Sequence, residues 1–211
     1  ILPEVVRLIK SAGLNTYVEW STNEKVAFDN AFAAAVSGKR AACCMKQVGL
    51  NVAADSLMSA AYIGTTGGFV IISCDDPGPH SSQTEQDTRL MARFAKVPVL
   101  DPSSPEEARQ MLGVAFDLSA EFQVTVILRP AIRVCHAREN LTWGELKNND
   151  QKASFERNPG RWAATPRFRF ILHGELNRKL KEIGRKFEKL DPFNFHDLKP
   201  GEKYPLGILA G

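Results

Sequence analysis

Five short β-rich runs recur along the first 128 residues, and this recurrence constrains the fold more than any other feature of the sequence. The runs begin at residues 16, 40, 69, 97 and 124, so their starts are 24 to 29 residues apart. Segments of helical periodicity fill the intervals. Strands and helices alternating at this spacing are typical of right-handed βαβ crossovers. The pattern predicts an α/β fold with a parallel sheet and helices on both faces.

The element boundaries follow from the same runs and from the turn residues between them. Gly38 is a typical helix stop, and Asp-Pro-Ser-Ser-Pro-Glu-Glu at 101–107 is a typical helix start. The predicted strands are 16–20, 40–45, 69–74, 97–100 and 124–128. The predicted helices are 1–10, 23–36, 52–62, 85–94, 105–122 and 168–190.

Composition divides the chain into an α/β domain and a basic extension. We assign residues 1–140 to the domain, 141–205 to a linker with a charged helix, and 206–211 to the start of a further domain. From residue 147 onward there are 14 Lys and Arg against 8 Asp and Glu, and we interpret this excess as a solvated basic helix face. Both ends look cut, so we expect a fragment of a longer polypeptide.

No apolar run approaches the ~20 residues that a membrane helix needs, and no secretory leader opens the sequence. We therefore expect a soluble cytoplasmic protein with no membrane or nucleic-acid partner. Cys43, Cys44, Cys74 and Cys135 lack the spacing of a metal site or a secreted disulfide scaffold. We interpret them as reduced core thiols, with Cys43 and Cys44 on opposite sides of a strand.

Ligands of parallel sheets bind beyond the carboxyl ends of the strands, so the loops there are the candidate sites. In the loop after 16–20, Ser21 and Glu24 match an S-x-x-E capping box, so Glu24 is either a structural cap or an acid presented to a ligand. In the loop after 40–45, Gly49 permits close backbone approach and Asn51 lies near the predicted helix start.

The longest polar loop is 75–87, which follows the predicted strand 69–74. Asp75 and Asp76 suit a Mg²⁺ ion or a substrate, although the turn residues alone also explain the run. His80 is either a surface turn residue or a proton-transfer group. These features predict a polar ligand site without naming its ligand.

At these same loops the sequence resembles the alpha subunit of the indolepyruvate ferredoxin oxidoreductases. The resemblance is carried by VEWSTNEKVA at 18–27, MKQVGLNVAAD at 45–55, DDPGPHSSQTEQD at 75–87 and FAKVPVL at 94–100. It covers roughly residues 1–140. It implies the pyrimidine-binding domain fold of a thiamine diphosphate enzyme, although the family's first strand and its Gly-Tyr-Pro-Gly-Thr-Pro loop are absent here.

The resemblance also implies an activity and a set of partners. Members of this family oxidatively decarboxylate aryl pyruvates to aryl-acetyl-CoA and CO₂ with ferredoxin as acceptor, and their alpha subunit works with a smaller beta subunit. Mg²⁺ and [4Fe-4S] clusters are expected in the parent protein, with no metal bound by this segment. Glu24 corresponds to the glutamate that hydrogen-bonds N1′ of the cofactor's aminopyrimidine. Further cofactor contacts are expected from Gly49, Asn51, Asp76, His80 and Gln83.

Two alternatives remain open from the sequence. The same cofactor chemistry would serve another 2-oxoacid, because no residue that selects the substrate side chain is identifiable. A non-catalytic α/β interaction module that docks acidic partners through the basic extension is the other alternative. We also expect the fragment alone to be inactive and to bind thiamine diphosphate poorly.

Overall fold

A computed structural model of the chain describes residues 2–141, 144, 148, 151–163, 165–195 and 198–208. Its centre is a four-stranded sheet in which all neighbouring strands are parallel. The strands are β1 (Ala41–Lys46), β2 (Phe69–Cys74), β3 (Val99–Leu100) and β4 (Thr125–Leu128), in the spatial order β1-β2-β4-β3. The predicted fold class is confirmed, and the bounds of β2 match the prediction.

The predicted strand at 16–20 is wrong. These residues form no regular element and pair with no strand, and the side chains of Tyr17 and Trp20 are 82% and 80% exposed. β-propensity describes how a residue suits a pleated, half-buried surface, and this segment has neither a pairing neighbour nor a buried face. The sheet therefore begins, within the described residues, at β1.

Nine helices lie within the described residues. They are α1 (Leu2–Ser11), α2 (Glu24–Val36), α3 (Gln47–Val52), α4 (Ala54–Ile63), α5 (Thr88–Ala95), α6 (Pro105–Phe122), α7 (Ile132–His136), α8 (Pro159–Trp162) and α9 (Pro166–Phe187). The helix predicted at 52–62 corresponds to α4, and the residues predicted as the loop before it form the separate helix α3, which begins directly after β1. Residues 206–208 form no strand, and 209–211 lie outside the described residues.

The core is formed where α2 and α6 pack on the sheet. Phe28 of α2 makes an edge-to-face contact with Phe69 of β2, with ring centroids 5.1 Å apart. On α6, the buried Ser119 hydroxyl accepts a hydrogen bond from Phe69 N at 2.8 Å and donates to the carbonyl of Val124. The helices thus fix the position of β2, whose carboxyl end leads into the candidate site.

The charged C-terminal helix α9 is not wholly solvated. Leu172, Leu176 and Ile183 are buried, and α9 packs against α4. Lys96, just after α5, donates a hydrogen bond to Asn177 at 2.6 Å. An apolar stripe on the helix therefore extends the core, while basic residues occupy the remaining surface.

No helix in the described ranges is both long enough and apolar enough to span a bilayer.

Candidate functional site

The carboxyl ends of the strands form one edge of the sheet because all strands are parallel. Lys46, Cys74, Leu100 and Leu128 end β1 to β4 at this edge. The loops that carry the candidate residues 45–51 and 75–87 both start there. This is the edge at which parallel sheets bind their ligands.

Glu24 is the first residue of α2, and its position is set by the residue before it. Asn23 has an extended backbone, with φ −158°, and its side chain accepts a hydrogen bond from Val26 N at 3.0 Å. Asn23 is therefore the N-cap, so the capping box predicted between Ser21 and Glu24 is wrong. Asn is as good a cap as Ser, and it lies directly at the helix start. The Glu24 carboxylate is thus not required to cap α2.

The Glu24 side chain is half-buried against the backbone of α3. A Cβ built on Gly49 would lie 2.5 Å from Glu24 Cγ and 2.9 Å from Oε1, far inside van der Waals contact. Gly49 therefore lets the two helices approach, as the sequence predicted for a residue without a side chain. Glu24 and Gly49 are therefore in contact, and the backbone of α3 limits the movement of the Glu24 carboxylate on one side.

Asn51 lies elsewhere on α3 than the sequence suggested. The helix begins at Gln47, so Asn51 is in its last turn, with an exposed side chain. Gln47 occupies the helix start instead. Its side chain is 1% exposed and donates one long hydrogen bond to Thr84 O at 3.4 Å. Its Oε1 has no partner in the described part of the chain, and sequence reasoning missed it.

Asp76 organises the loop that follows β2. Its carboxylate accepts hydrogen bonds from the backbone N–H groups of His80, Ser81 and Ser82 at 2.9–3.2 Å. These bonds, the one from Ser81 foremost, lower the pKa of Asp76 to about 2 against the opposing effect of desolvation. Asp76 is therefore a loop-forming anion, and it holds the segment that carries His80.

His80 and Gln83 lie on this loop with exposed side chains. The loop is tied to the β1–α3 junction by Lys46, whose Nζ donates to Ser81 Oγ at 2.9 Å, and by the Gln47 bond to Thr84. The predicted residues thus fall into two groups. Glu24 and Gly49 are in contact, whereas Asp76, His80 and Gln83 share the neighbouring loop, and Asn51 contacts neither group through a described hydrogen bond.

Asp75 points away from Asp76 and into a buried charge network. Arg129, directly after β4, donates from Nε to Asp75 at 2.7 Å and from Nη1 to Asp101 at 3.1 Å. Thr88 donates from its backbone N to Asp75 at 2.9 Å, and its hydroxyl also bonds that carboxylate. Burial disfavours the charge of Arg129, but hydrogen bonding and attraction to Asp75 and Asp101 outweigh it and raise the pKa of Arg129.

This network changes the interpretation of the paired acids. Asp75 and Asp76 do not share a ligand site, because one binds Arg129 and the other binds the loop backbone. Within the described residues no cluster of three His, Cys, Asp or Glu side chains is arranged to hold a metal ion. Arg129 was missed from the sequence, where a lone arginine after an apolar strand gives no sign of its partner 54 residues away.

Relatives of known identity extend over nearly the whole chain. The indolepyruvate oxidoreductase subunit IorA of Thermococcus kodakarensis is 47% identical over 206 residues, covering 95% of this chain and 31% of the relative. The IorA subunit of Archaeoglobus fulgidus is 40% identical over 99% of this chain and 33% of the relative. Over nearly its whole length, the chain is similar to one segment of the IorA subunit. It spans about a third of the length of these relatives, and no protein-family model matches it.

A solved structure gives independent support for the α/β fold. The 2-oxoglutarate:ferredoxin oxidoreductase from Magnetococcus marinus superimposes with a TM-score of 0.61 over 87% of this chain and 39% of that chain, at 14% sequence identity. At this identity the likeness concerns the fold alone. It agrees with the pyrimidine-domain fold that the sequence resemblance implied.

A cavity of about 260 Å³ lies at the opposite edge of the sheet from these residues. Its lining includes Gly64, which precedes β2, Val124, which precedes β4, and Arg161 of α8. Arg161 donates to the carbonyl of Thr65 at 2.7 Å, so this region joins α8 to the domain. The position at the amino ends of the strands argues against a ligand site of the usual α/β type.

Proposed function

We propose that this IorA-like segment forms the pyrimidine-binding side of a thiamine diphosphate site in an indolepyruvate-type 2-oxoacid:ferredoxin oxidoreductase. The observation that carries the proposal is the Glu24 carboxylate. It stands at the start of α2 at the ligand edge, is free of the capping role, and is held against Gly49. The sequence identity to IorA subunits supports the substrate class, since those relatives are subunits of indolepyruvate oxidoreductases.

The described residues fit an aminopyrimidine ring. A planar heterocycle needs a closely approaching backbone and a carboxyl group at one ring nitrogen, and Gly49 and Glu24 supply these groups. The unpartnered Oε1 of Gln47 is an additional buried acceptor at the same junction. Bound thiamine diphosphate supplies the carbon nucleophile that attacks the carbonyl of a 2-oxoacid.

Glu24 has the central role in this proposal. Its carboxyl group donates a hydrogen bond to ring nitrogen N1′ and so holds a proton at that atom. Contact with α3 restricts the rotamers of Glu24, which orients the carboxyl group before the ring arrives. Exclusion of water by the half-buried setting strengthens the hydrogen bond.

The other predicted residues have supporting roles. Gly49 and Asn51 of α3 lie beside the ring edge. Asp76 holds the loop that presents His80 and Gln83 toward the cofactor. The structural contacts support Gly49 and Asp76 more directly than Asn51, His80 and Gln83, whose described side chains are exposed.

The remaining parts of the proposal concern the whole enzyme. Mg²⁺, the cofactor's diphosphate and the [4Fe-4S] clusters would be bound by the remainder of the alpha subunit. A smaller beta subunit, ferredoxin, an aryl pyruvate and coenzyme A complete the reaction, in a cytoplasmic enzyme. These assignments rest on the family resemblance. This chain spans only about a third of its IorA relatives.

The decisive experiment uses the intact complex that contains this segment. Ferredoxin reduction is measured with indolepyruvate, phenylpyruvate, pyruvate and 2-oxoglutarate, each with and without thiamine diphosphate, Mg²⁺ and coenzyme A. We expect strict cofactor dependence and the highest kcat/KM with the aryl pyruvates. Preference for 2-oxoglutarate or pyruvate would reject the substrate assignment. Cofactor-independent behaviour, or no turnover of any 2-oxoacid, would reject the proposed function and favour an interaction module.

A further inference from the structure

Two of the four cysteines, Cys44 and Cys74, lie on one face of the sheet, and a third, Cys135, lies on α7 beside the end of β2. In the parallel pairing of β1 with β2, Cys44 lies opposite Ile72, and Cys74 lies opposite Lys46. Alternate residues of a strand point to the same side, so Cys44 and Cys74 project from the same face. Cys43 projects from the other face and is buried, whereas Cys44 is exposed. The sequence interpretation of core thiols therefore holds for Cys43 and is wrong for Cys44.

Cys135 of α7 joins these two residues. The carbonyl of Pro130 accepts a hydrogen bond from Asp75 N at 3.1 Å and a contact from Cys135 Sγ at 3.8 Å. Because Asp75 directly follows Cys74, this shared acceptor holds the Cys135 sulfur beside the end of β2. Cys135 is exposed and Cys74 is partly buried, and both are free thiols. The prediction of a core thiol is therefore wrong for Cys135 as well.

The thiols interact directly. A hydrogen bond from the Cys74 thiol lowers the pKa of Cys135 to about 7, against the opposing effect of burial. The Cys74 thiol also interacts with Cys44 and lowers the pKa of that residue, and these two alternative interactions raise the pKa of Cys74 itself. Cys74 is therefore the protonated donor, and Cys44 and Cys135 are the two exposed thiols whose ionised forms it stabilises. Thiolate character and exposure are the two properties that make a cysteine react with oxidants.

We propose that Cys135 and Cys74 form an oxidant-sensitive thiol pair, in which a peroxide oxidises Cys135 and Cys74 then closes a disulfide with it. In the first step the Cys135 sulfur takes one oxygen of hydrogen peroxide as the O–O bond breaks, giving a sulfenic acid and, with a proton from solvent, water. In the second step the Cys74 sulfur attacks the sulfenic sulfur, and the hydroxyl group leaves as water with the Cys74 proton. Two thiols and one peroxide thus give one disulfide and two waters.

Cys44 is the natural control within the cluster. With strands ~4.8 Å apart and a rise of ~3.3 Å per residue, its diagonal position puts its Cα about 8 Å from that of Cys74. A disulfide spans at most about 7 Å between Cα atoms. Cys44 therefore shares the environment of the pair without being able to close the bridge to Cys74 unless the backbone moves.

The test treats the intact subunit with hydrogen peroxide and maps its peptides without reduction. We expect a cross-linked peptide pair joining Cys74 to Cys135, which dithiothreitol reverses. In Cys74→Ser, dimedone should trap a sulfenic acid on Cys135. In Cys135→Ser the cross-link should vanish, and in Cys44→Ser it should form at the wild-type rate.

Two results would overturn the proposal. One is the absence of the Cys74–Cys135 cross-link in the wild-type protein while dimedone leaves Cys135 unmodified. The other is a cross-link that depends on Cys44. A further measurement does not depend on how the variants fold: iodoacetamide should alkylate Cys135 of the untreated wild-type protein at least about tenfold faster than buried Cys43. Alkylation of Cys135 as slow as that of Cys43 would contradict the exposed, reactive position of Cys135 beside the end of β2 that the proposal requires.

Discussion

Gly49 and Glu24 are in contact across the boundary between α3 and α2, at a separation that leaves no room for a side chain on Gly49. This contact joins two helices at the same edge of the sheet. The backbone of α3 thereby limits the orientations of the Glu24 carboxylate on one side. Because of this contact, a substitution at Gly49 tests the site as directly as a substitution of Glu24 does.

The first prediction concerns Gly49→Ala. The added methyl group would meet Glu24 Cγ and Oε1, so either α3 shifts or the carboxylate turns away. Overpacking of this kind costs about 1 to 3 kcal/mol. We expect a lower melting temperature together with a loss of cofactor-dependent turnover. Gly113→Ala in α6 is the matched control, because nothing lies within 4 Å of its added methyl group, and alanine should stabilise that helix by about 0.5 to 1 kcal/mol. Equal melting temperatures and equal turnover in the two variants would argue against the contact between Gly49 and Glu24.

The second prediction concerns Glu24→Gln in the complete enzyme. The amide keeps the shape of the side chain but lacks the proton chemistry of the carboxyl group. A general acid or base contributes about 10² to 10⁴ in rate, so kcat should fall by that factor, or about 3 to 5 kcal/mol of barrier. The melting temperature should hold, because the cap of α2 is Asn23.

Asn23→Ala provides the reciprocal control for Glu24→Gln. Loss of this cap should cost about 1 kcal/mol of stability while leaving the carboxyl group in place. The informative pair of measurements is thermal unfolding and exchange of the C2 proton of bound thiamine diphosphate. If Glu24→Gln lowers stability and leaves exchange unchanged, the catalytic assignment is wrong.

The third prediction concerns the buried network around Arg129. Arg129→Met would leave the carboxylate of Asp75 buried without its cation, and such changes cost about 3 to 5 kcal/mol. The exposed pair Arg40 and Asp117 offers a control, since Arg40→Met should cost at most about 1 kcal/mol. Urea unfolding of both variants measures the difference. Comparable midpoints would show that the network contributes no more than a surface ion pair.

The fourth prediction follows from the low pKa of Asp76. Its ionised carboxylate is stabilised by the folded loop, so its contribution to stability is fully present above the unfolded value of 3.8 and is lost as the pH falls toward about 2. The amides of His80, Ser81 and Ser82 should therefore stay protected from hydrogen exchange at pH 4.5. In Asp76→Asn the same amides should exchange faster at that pH. Titration of the wild-type carboxyl group near pH 4, followed by NMR, would contradict this assignment.

Local signals predicted the elements whose boundaries they determine. Strand β2 is a mainly apolar run, and helix α6 begins at Pro105, directly after its N-cap Ser104. Both elements were therefore predicted with their observed bounds. The run at 16–20 has the same β-branched and aromatic composition, but a strand also needs a partner. Pairing is not encoded in the run itself, which explains why it was assigned wrongly.

The site was predictable residue by residue but not as an arrangement. Glu24 and Gly49 each stood out in the sequence after a predicted strand, whereas their contact depends on how α2 and α3 pack. Asp75 and Asp76 looked like one acidic pair because they are adjacent in sequence. In extended backbone, neighbouring side chains point in opposite directions. Asp75 therefore binds Arg129, whereas Asp76 binds the loop backbone. Arg129 became visible only when the sheet order placed β4 beside β2.

The strand order also bears on how the chain assembles during synthesis. β3 is at the sheet edge and pairs with β4, which follows it in the chain after the whole of α6. A ribosome therefore releases β3 before its hydrogen-bonding partner exists, while β1 and β2 are already able to pair. Until α6 and β4 emerge, the apolar edge of β2 has no neighbour on that side and is open to pairing with other chains. We expect nascent chains stalled between β3 and β4 to need chaperone protection that chains stalled beyond β4 do not.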